Sequence, residues 1–194
     1  LLEWDNDLDK SEWEEFLLEA VDANNLDLVT FCIENGANRL DDGFYGAVAG
    51  GHMEMARFFI DKGADDFDSC LYAAARTNNT EMMNLLIEHG ATDWEEGLCG
   101  AAEGGHLGMA RFFVEKVAND WNEALDYANG TGIVRFLVEQ GADDRNRGME
   151  IATRYTDIEL FRFFQTKGRE VGGLPFRNNV SLMTPDSIRF VIQH

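Results

Sequence analysis

Apolar residues recur along this chain in one helical pattern, and the pattern itself repeats every 27 residues. The stretch GGHMEMARFFIDKGADD from Gly50 returns as GGHLGMARFFVEKVAND from Gly104, and His52 to His106 is 54 residues, twice 27. Between them NNTEMMNLLIEHGATD keeps the register, with Glu54 matched by Glu81, Phe58 by Leu85, Ile60 by Ile87 and Gly63 by Gly90. A fixed internal period marks an array of stacked units, each burying its apolar face against its neighbours. Within each period the spacing of apolar positions predicts two helices. First helices fall on SEWEEFLLEAVDANN from Ser11, then near 39–50, 67–77, 94–104, 121–128, 145–155 and 172–182. Second helices follow Asn25 and lie near 53–62, 80–89, 107–116, 131–140, 158–167 and 185–194.

The expected fold is therefore all-α: about seven stacked helical hairpins with very short connections. A single repeat domain spans 11–194, with units near 11–37, 38–64, 65–91, 92–118, 119–142, 143–169 and 170–194. An acidic lead-in at 1–10 precedes it, and its Trp4 and Leu8 are expected to cover the open end of the first unit.

Local signals punctuate the helices. Ser11 with Glu14, Asp93 with Glu96 and Asp120 with Glu123 have capping-box spacing at first-helix starts. Second helices open at Asn25, His52, Asn79, His106, Asp157 and Thr184, mostly residues that cap orphan N–H groups, and Pro185 suits the first helical position. His52 and His106 are read as structural caps, like Asn79, Asp157 and Thr184. Glycines such as Gly36, Gly63, Gly90 and Gly141 stand where a left-handed residue ends a helix. Val117 holds that position in the fourth unit, and a β-branched residue resists positive φ, so that helix is expected to end without a left-handed cap. The segment Asp126–Gly132 is three residues short, since Val117 to Gly141 is 24 residues instead of 27, and Gly130 and Gly132 supply the freedom to tighten that turn. The triplets Phe31-Cys32-Ile33, Phe58-Phe59-Ile60, Leu85-Leu86-Ile87, Phe112-Phe113-Val114, Phe136-Leu137-Val138, Phe163-Phe164-Gln165 and Phe190-Val191-Ile192, with Leu28, Met55, Met82, Met109, Ile133 and Leu160, form core columns.

AAEGGHLGMARFF from Ala101 resembles the ankyrin repeat, with its small-residue pair, its Gly-His-Leu turn and an apolar helix closing on Gly-Ala-Asp, as at Gly63-Ala64-Asp65 and Gly141-Ala142-Asp143. The resemblance covers nearly the whole chain and implies an ankyrin-like solenoid that binds proteins and rarely carries chemistry. GADDFDSCL leaves no room for the family's β-hairpin finger, and Phe67, Trp94 and Trp121 fill the shortened connection, plugging the gap between units. Such 27-residue units resemble those of large DNA viruses.

Composition narrows the function. Sixteen basic against thirty-six acidic residues give a formal charge of −20, which argues against direct binding to a nucleic-acid backbone and for a partner with a basic surface. No run of about 18 apolar residues suggests a membrane span. Cys32, Cys70 and Cys99 have neither disulfide density nor metal spacing and are read as reduced core thiols. No two histidines share helical metal-ligand spacing, and no phosphate loop or nucleophile motif occurs, so no metal, cofactor or catalytic residue is expected.

Two surface columns remain. Arg57, Arg111, Arg135, Arg162 and Arg189 recur on second helices with acids at i−3 or i+4, which suggests an intrahelical salt-bridge ladder. Acids at the connections form the other: Asp41, Asp42, Asp65, Asp66, Asp68, Asp93, Glu95, Glu96, Asp120, Glu123, Asp143 and Asp144. Asp22, Ala49, Arg76, Thr77, Glu103, Arg154 and Tyr155 line the expected inner groove. The partner-binding set is thus Asp22, Asp41, Asp42, Asp66, Asp68, Arg76, Thr77, Glu95, Glu96, Glu103, Glu123, Arg154 and Tyr155. The function expected is a non-catalytic, intracellular scaffold of a host–virus interaction, in cytoplasm or nucleus. The alternatives are a virion-associated cement protein and an acidic nucleic-acid mimic.

Overall fold

The computed structural model describes residues 8–116 and 118–167. The expected helices 172–182 and 185–194, the cap at Thr184, the conformation of Val117, Arg189 and the lead-in Trp4 lie outside them. Twelve helices are seen among the described residues: α1 Lys10–Asp22, α2 Leu26–Glu34, α3 Leu40–Ala49, α4 Met53–Lys62, α5 Phe67–Arg76, α6 Thr80–Glu88, α7 Trp94–Gly104, α8 Leu107–Glu115, α9 Trp121–Tyr127, α10 Thr131–Gln140, α11 Arg145–Arg154 and α12 Ile158–Lys167. They pair into six helical hairpins, and the described residues include no strand. Contacts divide the described residues into two compact blocks, the first ending at Asp93 and the second beginning at Trp94. In the first, α1, α3 and α5 stack as successive first helices, each packed on its own partner α2, α4 or α6. In the second, α7, α9 and α11 stack in the same way and carry α8, α10 and α12.

Five of the six hairpins, all but α9–α10, turn through one left-handed residue. Asn24, Gly51, Asn78, Gly105 and Thr156 occupy this place with φ between 50° and 73°. It closes a bond from the next N–H back to an alanine carbonyl: Asn25 to Ala20, His52 to Ala47, Asn79 to Ala74, His106 to Ala101 and Asp157 to Ala152. Those alanines are at most 1% exposed, because a larger side chain there would force the two helices apart. Thr156 is the one β-branched residue in this column, and its φ of 54° is strained. The other helix ends follow the expected glycines, with φ of 108° at Gly36, 103° at Gly63, 104° at Gly90 and 132° at Gly141.

Capping departs from expectation at three places, the start of α1 and the two histidine positions. The first helix opens one residue early, so the reciprocal box is made by Asp9 and Glu12, and Ser11 with Glu14 lies inside the helix. Asn25, Asn79 and Asp157 accept from Leu28, Met82 and Leu160 N–H, whereas His52 and His106 occupy the N-cap position without making a capping hydrogen bond. The His52 ring instead folds back over the preceding turn, and a Cβ on Gly50 would stand 2.7 Å from its Cδ2.

Among the described residues the second member of every core triplet is fully buried: Cys32, Phe59, Leu86, Phe113, Leu137 and Phe164. The first member is not uniformly core, since Phe31 is 52% exposed, and Leu28 is 40% exposed. Both lie in α2, which has a described neighbour on one side only. Three of the buried rings sit directly over a glycine of their partner helix, Phe59 on Gly43, Phe113 on Gly97 and Phe164 on Gly148, where an added Cβ would overlap the ring. The two remaining hairpins with a full set of neighbours put Cys70 with Leu86 and Ala124 with Leu137 in the same register, all buried. Volume is therefore traded across each hairpin: no side chain against phenylalanine, a small one against leucine. Gly97→Ala is expected to lower stability by about 2 kcal/mol through overpacking. Adding Phe113→Leu should recover part of the loss, and urea titration of the double-mutant cycle tests this, strict additivity being the contrary result.

Candidate interaction surface

The connections between hairpins carry the acidic column, and most of its members make hydrogen bonds to the neighbouring connection. Asp41 Oδ1 accepts from the N–H groups of Asp65 and Asp66, at 3.0 and 3.3 Å. One repeat later Asp68 Oδ1 accepts from Thr92 and Asp93, at 2.6 and 2.8 Å. Glu95 accepts from Asn119 at 2.9 Å and Asp120 at 3.1 Å, and Asn122 Oδ1 accepts from Asp143 at 2.8 Å and Asp144 at 3.0 Å. The four acceptors are spaced 27 residues apart, 41, 68, 95 and 122. The physical need is plain: the N–H pair preceding each of α5, α7, α9 and α11 has no helical partner, and a connection this short offers no strand to satisfy it. Asn122 shows that an acceptor oxygen suffices and that charge is not required.

A second carboxylate in the same connections caps the first helix that follows. Asp66 accepts from Ser69 N–H, Asp120 from Glu123 N–H and Asp144 from Arg147 N–H. Asp42 is paired with Arg39 at 2.6 Å, and Asp143 accepts from Asn122 Nδ2 at 3.0 Å. Glu96 and Glu123 are exposed on the outer face of their helices. The structural bonds of Asp41, Asp68 and Glu95 come from neutral N–H groups, so the negative charge of these side chains is left in place.

The polar residues expected to line a groove, three in the first block and three in the second, differ in their surroundings. Asp22 and Arg76 are exposed, and Glu103 is half-buried. Thr77 Oγ1 donates to Ala73 O at 3.0 Å, Arg154 pairs with Glu150 at 2.8 Å, and the Tyr155 hydroxyl donates to Asn129 Oδ1 at 2.5 Å. Exposed tyrosines at Tyr45 and Tyr127 add aromatic surface that periodicity did not single out.

The three missing residues are taken from the last turn of α9, which stops at Tyr127, and not from the loop alone. Gly130 takes φ 102° at the start of α10, as its freedom requires, while Gly132 is an ordinary helical residue. Carbonyls at the cut end meet Arg147 of α11, whose guanidinium donates to Asp126 O and, at 3.4 Å, to Leu125 O, which also accepts the Ala128 N–H. A cation at a helix C-terminus also suits the dipole.

Among the described residues the arginine column is not an intrahelical ladder. Arg57 pairs with neither Glu54 nor Asp61, and Arg111 lies over the Phe136 ring at 4.9 Å. Arg135 reaches the next hairpin, to Asp157 at 2.8 Å and Glu159 at 3.3 Å. Facing helices of adjacent hairpins hold these acids closer than Glu139 on its own helix. Burial raises the Asp157 carboxyl, but the Leu160 N–H and Arg135 outweigh it, and the net position is below the usual aspartate range. The charge therefore stabilises the fold above about pH 4 and ceases to do so as pH falls through the depressed value. The stability difference between the unmodified chain and Asp157→Asn should accordingly be constant near neutrality and shrink in acid; a difference that grew on acidification would contradict the sign.

Burial, and then the nearby Asp66 and Asp41, push the Cys70 thiol up to about 12, and burial does the same to Cys99 together with Glu123, Glu96, Glu95 and Asp120. Such thiols stay protonated and unreactive. Among the described residues no group of three or more His, Cys, Asp or Glu is placed to hold a metal ion, and no helix is long and apolar enough to cross a membrane.

The bridging acceptors give a clean test of their role. Asp68→Ala should cost about 1–2 kcal/mol and Asp68→Asn less than about 0.5 kcal/mol, read by thermal and urea unfolding; equal losses would mean that charge, not acceptance, matters.

Residues 17–96 match the family model for ankyrin repeats in three copies, and no curated protein matches the chain. Repeats of this family mediate protein–protein interaction and are typically non-catalytic. The hairpin turns and buried alanines seen over that stretch accord with the match, and residues 17–96 are ankyrin repeats.

Proposed function

We propose that the chain is a non-catalytic scaffold that holds a protein partner with a basic or mixed-charge surface, recognised by the acidic connections and the groove beside them. One observation carries the reading. The connection carboxylates Asp41, Asp68 and Glu95 are satisfied by neutral backbone N–H groups, so they are ordered by the fold and still charged. Fixed charges attract and orient an opposite surface without losing side-chain entropy on contact, and steer its approach at low ionic strength. With a formal charge of −20, the field of the whole chain works in the same direction. Groove side chains of both signs, Asp22, Arg76, Glu103 and Arg154, then select among basic partners.

Charge and structure can be separated here, because Asn122 does the same structural task without a charge. The triple variant Asp41→Asn, Asp68→Asn, Glu95→Gln should keep the fold and lose association. The measurement is affinity capture with mass spectrometry, followed by titration of the recovered partner at low and high salt. The expected result is a basic partner whose association weakens with salt and falls at least tenfold with the triple variant. Equal recovery by both proteins, insensitive to salt, would refute the reading.

A further inference from the structure

Of the two Asn-Gly pairs among the described residues, one is protected by the fold and the other is set up to react. At Asn35-Gly36 the Gly36 N–H donates to Ile33 O at 3.1 Å and Asn35 Nδ2 donates to Phe31 O at 2.8 Å, so nucleophile and leaving group are both tied to the end of α2. At Asn129-Gly130 neither is held. The Gly130 N–H and Asn129 Nδ2 make no hydrogen bond, Asn129 is exposed, and its side-chain carbonyl accepts the Tyr155 hydroxyl at 2.5 Å. The backbone is anchored on the other side by Asn129 N–H donating to Ala102 O at 3.0 Å.

We propose that Asn129 is a self-modification site, at which the chain deamidates through a cyclic imide with Tyr155 assisting. The Gly130 amide nitrogen gives its proton to solvent hydroxide and forms a bond to Asn129 Cγ. Negative charge develops on Oδ1, where the Tyr155 hydroxyl is already placed to donate, in the manner of an oxyanion donor. The Cγ–Nδ2 bond breaks and the nitrogen leaves as ammonia after taking up a proton from water. Water then adds to one of the two imide carbonyls and opens the ring to aspartate or isoaspartate. Glycine after the asparagine matters because no Cβ hinders the attack, and Gly130 has the freedom of φ 102°. The product carboxylate lies beside the N-terminus of α10, where the dipole favours a negative charge. An isoaspartate also lengthens the main chain at the very turn shortened by three residues, loosening the contacts of Asn129 with Ala102 and Tyr155.

The test is incubation of the whole purified chain in mildly alkaline buffer, with peptide mass mapping and isoaspartate detection at both pairs over time. Deamidation is expected at Asn129 well ahead of Asn35, and Tyr155→Phe, checked for an unchanged circular dichroism spectrum, should slow the Asn129 reaction by about tenfold. Comparable rates at the two asparagines would overturn the proposal without any variant. An Asn129 rate unchanged or raised in Tyr155→Phe would overturn the part given to Tyr155.

Discussion

The fold depends on how a chain with almost no connecting loop satisfies the backbone between its hairpins. Four first helices, α5, α7, α9 and α11, begin almost directly after a helix end, leaving two N–H groups without a partner within their own repeat. A side-chain oxygen from the previous repeat accepts both, from Asp41, Asp68, Glu95 or Asn122. Leaving such donors unmade is costly wherever water is excluded and permits other register where it is not. The bond thus sets the offset between neighbouring repeats, in the place where a longer unit would use a strand finger. Acidity at the connections follows, because aspartate and glutamate are the strongest acceptors available and also cap the helix that comes next.

Packing within each hairpin is a second constraint and works by volume. The rings of Phe59, Phe113 and Phe164 lie where Gly43, Gly97 and Gly148 have no side chain, so the helices approach closely on both sides of the ring. The alanine column at the turn allows the same approach at the other end. These two requirements explain a sequence rich in glycine and alanine inside helices, where propensity alone disfavours glycine by about 1 kcal/mol.

The fifth hairpin shows how the array absorbs a defect. Removing three residues cuts a turn from α9, and Arg147 and Tyr155 from the following hairpin fill the gap. Tyr155 and Arg154, which position alone assigns to a binding groove, are therefore partly engaged in holding the structure.

Period and helical spacing by themselves determined the repeat, the two helices of each unit and their ends at Gly36, Gly63, Gly90 and Gly141, while the resemblance carried by the motif from Ala101 pointed to the family whose model matches residues 17–96. Those features are local or recur at a fixed interval, and a one-dimensional pattern records both. Only the tertiary structure decided what the acidic and arginine columns do. Asp68 bonds to residues 24 and 25 positions away, and Arg135 prefers Asp157 and Glu159 on the next hairpin to Glu139 on its own helix. A recurrent acid looks the same in sequence whether it faces water or a neighbouring N–H pair, and the difference is a distance across the stack. His52 makes the same point, since its place at the N-cap was legible, yet its ring turned back over Gly50 because the space there was empty.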